Sequence, residues 1–214
     1  MSTIAAPPPG APAYERQKSR LQETDPGIRR QLASGADTRP EILYYLAKDE
    51  VPAIRRAIAA NPRTPIQADE LLAKDIDEDV RVDLAAKVAR LLPALSEDAR
   101  AAVRERVLEV VRELARDQAV RVRQAVADVI KDMRSAPLDL VRGLARDIEV
   151  VVAEPVLRCS PVLSDDDVLD IIASDPGSRR LIAIAGRPEL GARIADALVN
   201  TADTSAVAAL LANP

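Results

Sequence analysis

The stretch LAKDEVPAIRRAIAANP at residues 46–62 contains the pattern that decides the fold. Its first four letters read Leu-Ala-x-Asp, and this word occurs four times, beginning at Leu46, Leu72, Leu114 and Leu144. An aliphatic residue stands five positions after each aspartate; arginine follows it in the first three copies and alanine in the fourth. A word that recurs with the same internal offset predicts a chain built from repeated structural units.

Each copy predicts two helices joined by a tight turn. In the first unit, Ile42, Leu43 and Leu46 fall on one helical face, and Ile54 and Ile58 do so after the turn. A single pair of this kind cannot bury its thin apolar face, whereas stacked pairs share one continuous core. The sequence therefore predicts an all-α fold, a right-handed α-solenoid of helix–turn–helix repeats.

The recurring aspartates stand at the turn of each unit. A short acidic side chain before a helix accepts bonds from free backbone amides and complements the positive end of the helix dipole. We therefore expect these residues to cap the second helices: Asp49, Asp75, Asp117 and Asp147.

The domain limits follow from composition and spacing. Residues 1–24 contain Pro7–Pro9 and Pro12 and predict a disordered tail, with a polyproline docking segment as the alternative. Residues 25–214 form the single predicted solenoid. The wider spacing between the second and third copies predicts a change of curvature near residues 90–100. The chain closes on an apolar helix without a polar cap, so we expect the native protein to continue beyond Pro214.

Composition limits the function. The 214 residues contain no histidine, one cysteine and 1% aromatics, which disfavours most metalloenzyme, Cys–His and Ser–His–Asp chemistry as well as an aromatic-rich β-sandwich. No phosphate-binding glycine loop, secretory signal or bilayer-length apolar run is present. We therefore expect a cytoplasmic protein without catalytic, cofactor or metal site. Cys159 is interpreted as a small buried hydrophobe, and Asp165–Asp167 as a helix start rather than a cation site.

Arginines at recurring places on the second helices form the candidate binding surface. One interpretation is a ladder of cations that follows a nucleic-acid backbone or an acidic peptide. The other is structural, because each arginine recurs together with an aspartate that a stacked neighbour can bring within reach. The net charge of −4 and the scarcity of aromatic residues favour the second interpretation. The candidate residues are Arg55, Arg56, Arg81, Arg121 and Arg123, with Arg179 and Arg180 as later equivalents.

The repeat words also resemble known helical arrays. Leu114–Asp117, Leu144–Asp147, EPVLRCSPVL at residues 154–163 and Asp196–Val199 are similar to an uncharacterised bacterial family of unknown function, related to HEAT-like and leucine-rich-repeat-variant α-solenoids. The resemblance implies a right-handed α-solenoid of HEAT-like helix–turn–helix repeats and implies no catalysis. The function hypothesis is a protein-binding scaffold, and the alternative is a solenoid that binds nucleic-acid backbone through its arginines.

Overall fold

The structure, a computed structural model, describes residues 13–92, 101–188 and 190–213. These residues are all-helical: they form fourteen helices and contain no strand. The helices are α1 (Ala13–Leu21), α2 (Pro26–Ser34), α3 (Pro40–Leu46), α4 (Pro52–Ala60), α5 (Ile66–Leu72), α6 (Glu78–Leu91), α7 (Ala101–Leu114), α8 (Val120–Ile130), α9 (Leu138–Ala145), α10 (Val150–Cys159), α11 (Asp165–Ala173), α12 (Ser178–Ala185), α13 (Ala192–Asn200) and α14 (Thr204–Ala212).

The helices pack in chain order. Every pair of helices with extensive contact lies one or two positions apart in the sequence. The even-numbered helices from α2 to α14 form an unbroken row in which each packs against the next, and the odd-numbered helices flank this row. Among the described helices, none is long and apolar enough to cross a lipid bilayer.

One apolar core runs along the whole row, from Leu32 to Ala206. Leucines and isoleucines such as Leu43, Ile58 and Leu84 fill it without solvent exposure. Alanines stand between them on the even-numbered helices, and their small side chains let neighbouring helices approach closely. The alanines with no exposed surface on these helices include Ala33, Ala59, Ala85, Ala127, Ala153 and Ala185.

The recurring aspartates do not occupy the helix caps that the sequence predicts for them. The N-cap positions of α4, α6, α8 and α10 fall two residues later, at Val51, Asp77, Ala119 and Glu149. Each aspartate instead accepts the backbone amide of that N-cap residue, at 2.8–2.9 Å. An aspartate in a turn commonly accepts a hydrogen bond from the backbone amide two residues later. These four residues therefore shape the turn and do not cap the second helix.

The acidic triplet at Asp165–Asp167 does begin a helix, as predicted. Ser164 and Asp167 form a reciprocal capping box, in which each side chain accepts the other residue's backbone amide. Residues 150–157 are helical within α10 despite Pro155, so their place in the repeat outweighs their strand-like composition.

Part of the segment assigned to a tail is helical. Helix α1 covers Ala13–Leu21 and is tied to the loop before α3 through Gln17. The Gln17 side-chain amide donates to the Asp37 carbonyl at 3.1 Å and accepts the Arg39 backbone amide at 3.1 Å. Composition does not predict this helix, because its polar contacts are made with residues about twenty positions away. Residues 1–12 and 93–100, which include most of the segment predicted to change curvature, lie outside the described residues.

The ends of the even-numbered helices are joined by side chains that donate to carbonyls. The amide nitrogen of Asn61, at the end of α4, donates to the carbonyls of Ala33 at 2.7 Å and Gly35 at 3.2 Å, at the end of α2. Asn213 does the same from α14 to the carbonyls of Ala185 and Arg187. These bonds satisfy carbonyls that a helix end leaves without an intrahelical donor.

The Asn61 contact predicts a measurable stability effect. Asn61→Ala removes both donated bonds at a buried position and should lower the free energy of unfolding by about 1–3 kcal/mol. Urea unfolding followed by circular dichroism measures the change. Arg63→Ala, at an exposed residue of the same turn, is the matched control and should leave the unfolding midpoint unchanged; equal shifts for both variants would contradict the role of Asn61.

Candidate interaction surface

Three of the predicted arginines each join two consecutive turns. The Nε and Nη2 atoms of Arg81 donate to the Asp117 carboxylate at 2.6 and 3.0 Å, and its Nη1 donates to the Asp75 carbonyl at 2.7 Å. The paired nitrogens match the two carboxylate oxygens, which is the strong fork geometry of arginine. We call the set of such pairs the arginine ladder: Arg29–Asp49, Arg55–Asp75, Arg81–Asp117 and Arg123–Asp147.

Burial and pairing set the charges of the ladder. Desolvation alone would raise the pKa of the Asp117 carboxyl, but the hydrogen bonds from Arg81 and from the Ala119 amide outweigh it, and the pKa is lowered. The hydrogen bond to Asp117 in turn raises the pKa of Arg81. The side chains of Arg81 and Asp117 are only 16% and 10% exposed. The Arg81–Asp117 pair is therefore ionised at neutral pH, and all four pairs of the ladder are largely closed to a ligand.

The fourth unit replaces its missing arginine from another helix. Ala153 stands where earlier units have arginine, and Arg180 of α12 reaches back to the same kind of turn. Its Nη2 donates to the carbonyls of Asp147 at 2.6 Å and Ile148 at 2.7 Å. The bonds from an arginine to the turn carbonyls are thus kept in the fourth unit, although the arginine belongs to α12 and not to α10.

The other two predicted arginines are exposed but paired. Arg56 of α4 donates to Asp83 at 2.8 Å and contacts Asp79 at 3.2 Å, both on α6. Arg121 of α8 contacts Glu78 and Asp79 of α6 at 3.1 and 3.0 Å. The five candidate residues therefore all meet carboxylates of a neighbouring turn or helix, which favours the structural interpretation.

A second set of basic residues lies at the turns and stays in solvent. The variable residue of Leu-Ala-x-Asp is basic in every copy: Lys48, Lys74, Arg116 and Arg146. All four side chains are exposed. Together with the two residues after each, they form what we call the turn edge: residues 48–50, 74–76, 116–118 and 146–148. The sequence contains a signal for this set, because the third residue of Leu-Ala-x-Asp is basic in all four copies.

The cations of the turn edge are weakly held. Lys48 lies 4.7 Å from the centre of the Tyr44 ring, and Lys74 is 3.8 Å from Glu113, an exposed pair of small energetic value. Arg116 and Arg146 form no ion pair with any carboxylate of the described residues. These positive charges are therefore available to a ligand, unlike those of the ladder.

Two isoleucines stand at equivalent places on the turn edge. Ile76 is 95% exposed and Ile148 is 84% exposed, each directly after its ladder aspartate. Gln118 and Glu50 occupy the same place in the other two turns. Shallow grooves separate neighbouring turns; one of about 340 Å³ is lined by residues that include Lys74, Arg116 and Gln118. The edge thus presents a basic group at every turn and an exposed apolar group at the second and fourth turns.

A buried ion pair lies elsewhere, between α5 and α6. Asp69 accepts a hydrogen bond from the Lys87 ammonium, and both side chains are nearly inaccessible, at 3% and 6% exposure. Desolvation raises the pKa of Asp69 to about 6, against the attraction of Lys87, and lowers the pKa of Lys87. Sequence reasoning missed this pair, because no recurring motif links the two residues.

The remaining candidate residues carry no site. Cys159, predicted to be buried, is half-buried at the end of α10. Within the described part of the chain, no cluster of three or more acidic or cysteine side chains is placed to hold a metal ion.

Comparison with known proteins gives a family match for the last part of the chain. Residues 152–214 match the model of a family described as an uncharacterised protein conserved in bacteria (DUF2336). This segment runs from within α10 to the end of α14 and includes part of the sequence on which the resemblance was based. No curated protein and no solved structure matches the chain at a significant level.

The ladder predicts unequal effects for two arginines. Arg81→Ala leaves the Asp117 carboxylate partly buried without its cation and should lower the free energy of unfolding by about 2–4 kcal/mol. Arg81→Lys should recover only part of this loss, since lysine lacks the planar fork. Arg56→Ala, at an exposed pair, should cost less than about 1 kcal/mol. Urea unfolding measures all three, and equal losses at Arg81 and Arg56 would refute the ladder.

The buried pair predicts a characteristic pH dependence. Because the folded-state pKa of Asp69 is raised from 3.8 to about 6, the folded protein binds more protons than the unfolded chain between these values. The contribution of Asp69 to stability is therefore complete below pH 3.8 and is lost as the pH rises through 6. Asp69→Asn removes it, so the stability of the wild type relative to this variant should rise as the pH falls from 7 to 4. Urea unfolding at several pH values tests this, and a constant difference would contradict it.

Proposed function

We propose that the chain is a right-handed α-solenoid of the HEAT-like kind and serves as a cytoplasmic, non-enzymatic scaffold that binds another protein. Packing of each helix against its near neighbours in the sequence, with one core along the row, supports the stacked arrangement. The match of residues 152–214 to an uncharacterised bacterial family is compatible with it.

The observation that carries the binding function is the exposure of Ile76 and Ile148. Single apolar residues on a surface are common and need no explanation. Here, however, two almost fully exposed isoleucines occupy the same position of two repeat units, next to exposed cations. Aliphatic groups beside exposed cations are contact groups for a protein surface, since protein interfaces combine apolar contacts with polar rims.

The charge distribution supports a protein partner over a nucleic acid. Arg55, Arg81 and Arg123, which suggested phosphate binding, are paired with carboxylates of neighbouring turns. The turn edge also carries the exposed acid Glu50, and the exposed Glu149 directly follows its last turn; both repel a polyanion. The most strongly perturbed titratable pair, Asp69 and Lys87, is too buried to meet a substrate, which supports a role without catalysis.

The scaffold function predicts loss of a partner when the isoleucines are removed. Protein captured from bacterial lysate by the wild-type chain should fall several-fold with the double variant Ile76→Ser/Ile148→Ser, because the apolar contacts are lost. Quantitative mass spectrometry of the captured proteins measures the change. Val199→Ser/Leu211→Ser, which alters two exposed apolar residues of α13 and α14, is the matched control.

Two results would contradict the proposal. One is capture that is the same for the wild type and the isoleucine variant. The other is retention on heparin or DNA that falls steeply with salt concentration and disappears in Arg55→Glu/Arg81→Glu/Arg123→Glu, which is the behaviour expected of the nucleic-acid alternative.

A further inference from the structure

The turn edge presents one cation per repeat unit at a fixed place. Lys48, Lys74, Arg116 and Arg146 all end a first helix, stand directly before a ladder aspartate and are exposed. The negative end of a helix dipole favours a cation there. The dipole does not account for the exposed isoleucines in the same turns, so the row and the apolar groups together indicate a binding surface.

The ladder fixes the distance between successive turns. The guanidinium of Arg81 lies 2.7 Å from the carbonyl oxygen of Asp75 in one turn and 2.6 Å from the carboxylate of Asp117 in the next. Arg55 and Arg123 bridge their turns in the same way. Neighbouring turns are therefore in direct contact through one side chain, and their spacing follows that of packed helices, roughly 8–10 Å.

This spacing matches one ligand conformation. A polyproline II segment rises about 3.1 Å per residue with three residues per turn, so every third side chain lies on one face about 9 Å from the next. A strand repeats its face at about 6.6 Å, which is two residues, and an α-helix at about 5.4 Å. We propose that the turn edge binds an extended acidic segment of a protein partner, with a carboxylate at every third residue. This inference rests on the proposed scaffold function and adds the chemistry of the partner.

The other groups of the edge define what such a segment must contain. Ile76 and Ile148 are two units apart, so they meet apolar side chains six residues apart in the ligand. Glu50 in the first turn and Glu149 directly after the last turn are exposed acids, and they disfavour a continuous row of negative charge in the ligand. The edge therefore selects spaced carboxylates over blocks of acid and over a phosphate backbone.

Two peptides of equal composition test the periodicity. One contains five Glu-Pro-Leu triplets; the other contains the same residues with all glutamates in one block. Fluorescence anisotropy at low salt should show the periodic peptide binding at least tenfold more tightly, with an affinity that falls as salt increases. Equal affinities, or no binding of the periodic peptide at millimolar protein, would overturn the proposal.

Charge reversal locates the site. Arg116→Glu/Arg146→Glu should weaken binding of the periodic peptide at least tenfold, while circular dichroism shows the fold unchanged. Arg63→Glu/Arg134→Glu reverses two exposed arginines in the turns that follow α4 and α8 and should leave affinity within about twofold. Equal losses in the two variants would refute a site on the turn edge.

The outcomes separate this inference from the scaffold function. If partner capture depends on Ile76 and Ile148 but not on Arg116 and Arg146, the scaffold function stands and the acidic ligand is wrong. The reverse result separates them as well. If the periodic peptide binds through Arg116 and Arg146, and removing both isoleucines changes neither capture nor peptide affinity, the site for acidic segments stands. The scaffold function, which is argued from the isoleucines, is then wrong.

Discussion

The arginine–aspartate contact between successive units is the interaction on which the arrangement of the turns depends. Apolar packing between even-numbered helices is favourable but has little direction, and alanine-rich faces can slide over one another. A guanidinium that bonds to the backbone of one turn and to the carboxylate of the next admits one relative position. The core therefore supplies most of the free energy of stacking, and the ladder specifies the register.

Much of the fold follows from periodicity. The helical stripes and the helix start at Asp165–Asp167 predict helices where the structure has them. The aspartates were assigned the wrong task, because a sequence shows that a turn needs an acceptor but not which amide reaches it. The Asp69–Lys87 pair could not be predicted, since it depends on how α5 meets α6 and on no spacing within either helix.

The candidate site was predictable in part, because some of its residues recur at fixed places in the units. Recurrence of arginine together with aspartate at Arg55, Arg81 and Arg123 indicated pairing between neighbours, and the structure shows these pairs. Arg180 was named among the later arginines, but its bond to the Asp147 carbonyl could not be predicted, because the two residues lie 33 positions apart and no recurring motif links them. The basic residue before each aspartate is visible in the sequence, but only the structure shows that its side chain is exposed.

The exposed groups of the turn edge stand directly beside the ladder aspartates, and this placement separates two properties of the turns. The distance between adjacent turns is held by the packed helices and by the arginine that joins them, so substitution of an exposed residue does not alter it. The residue after the aspartate accordingly differs from turn to turn, glutamine at position 118 and isoleucine at positions 76 and 148, while the arginine contacts between these turns are the same.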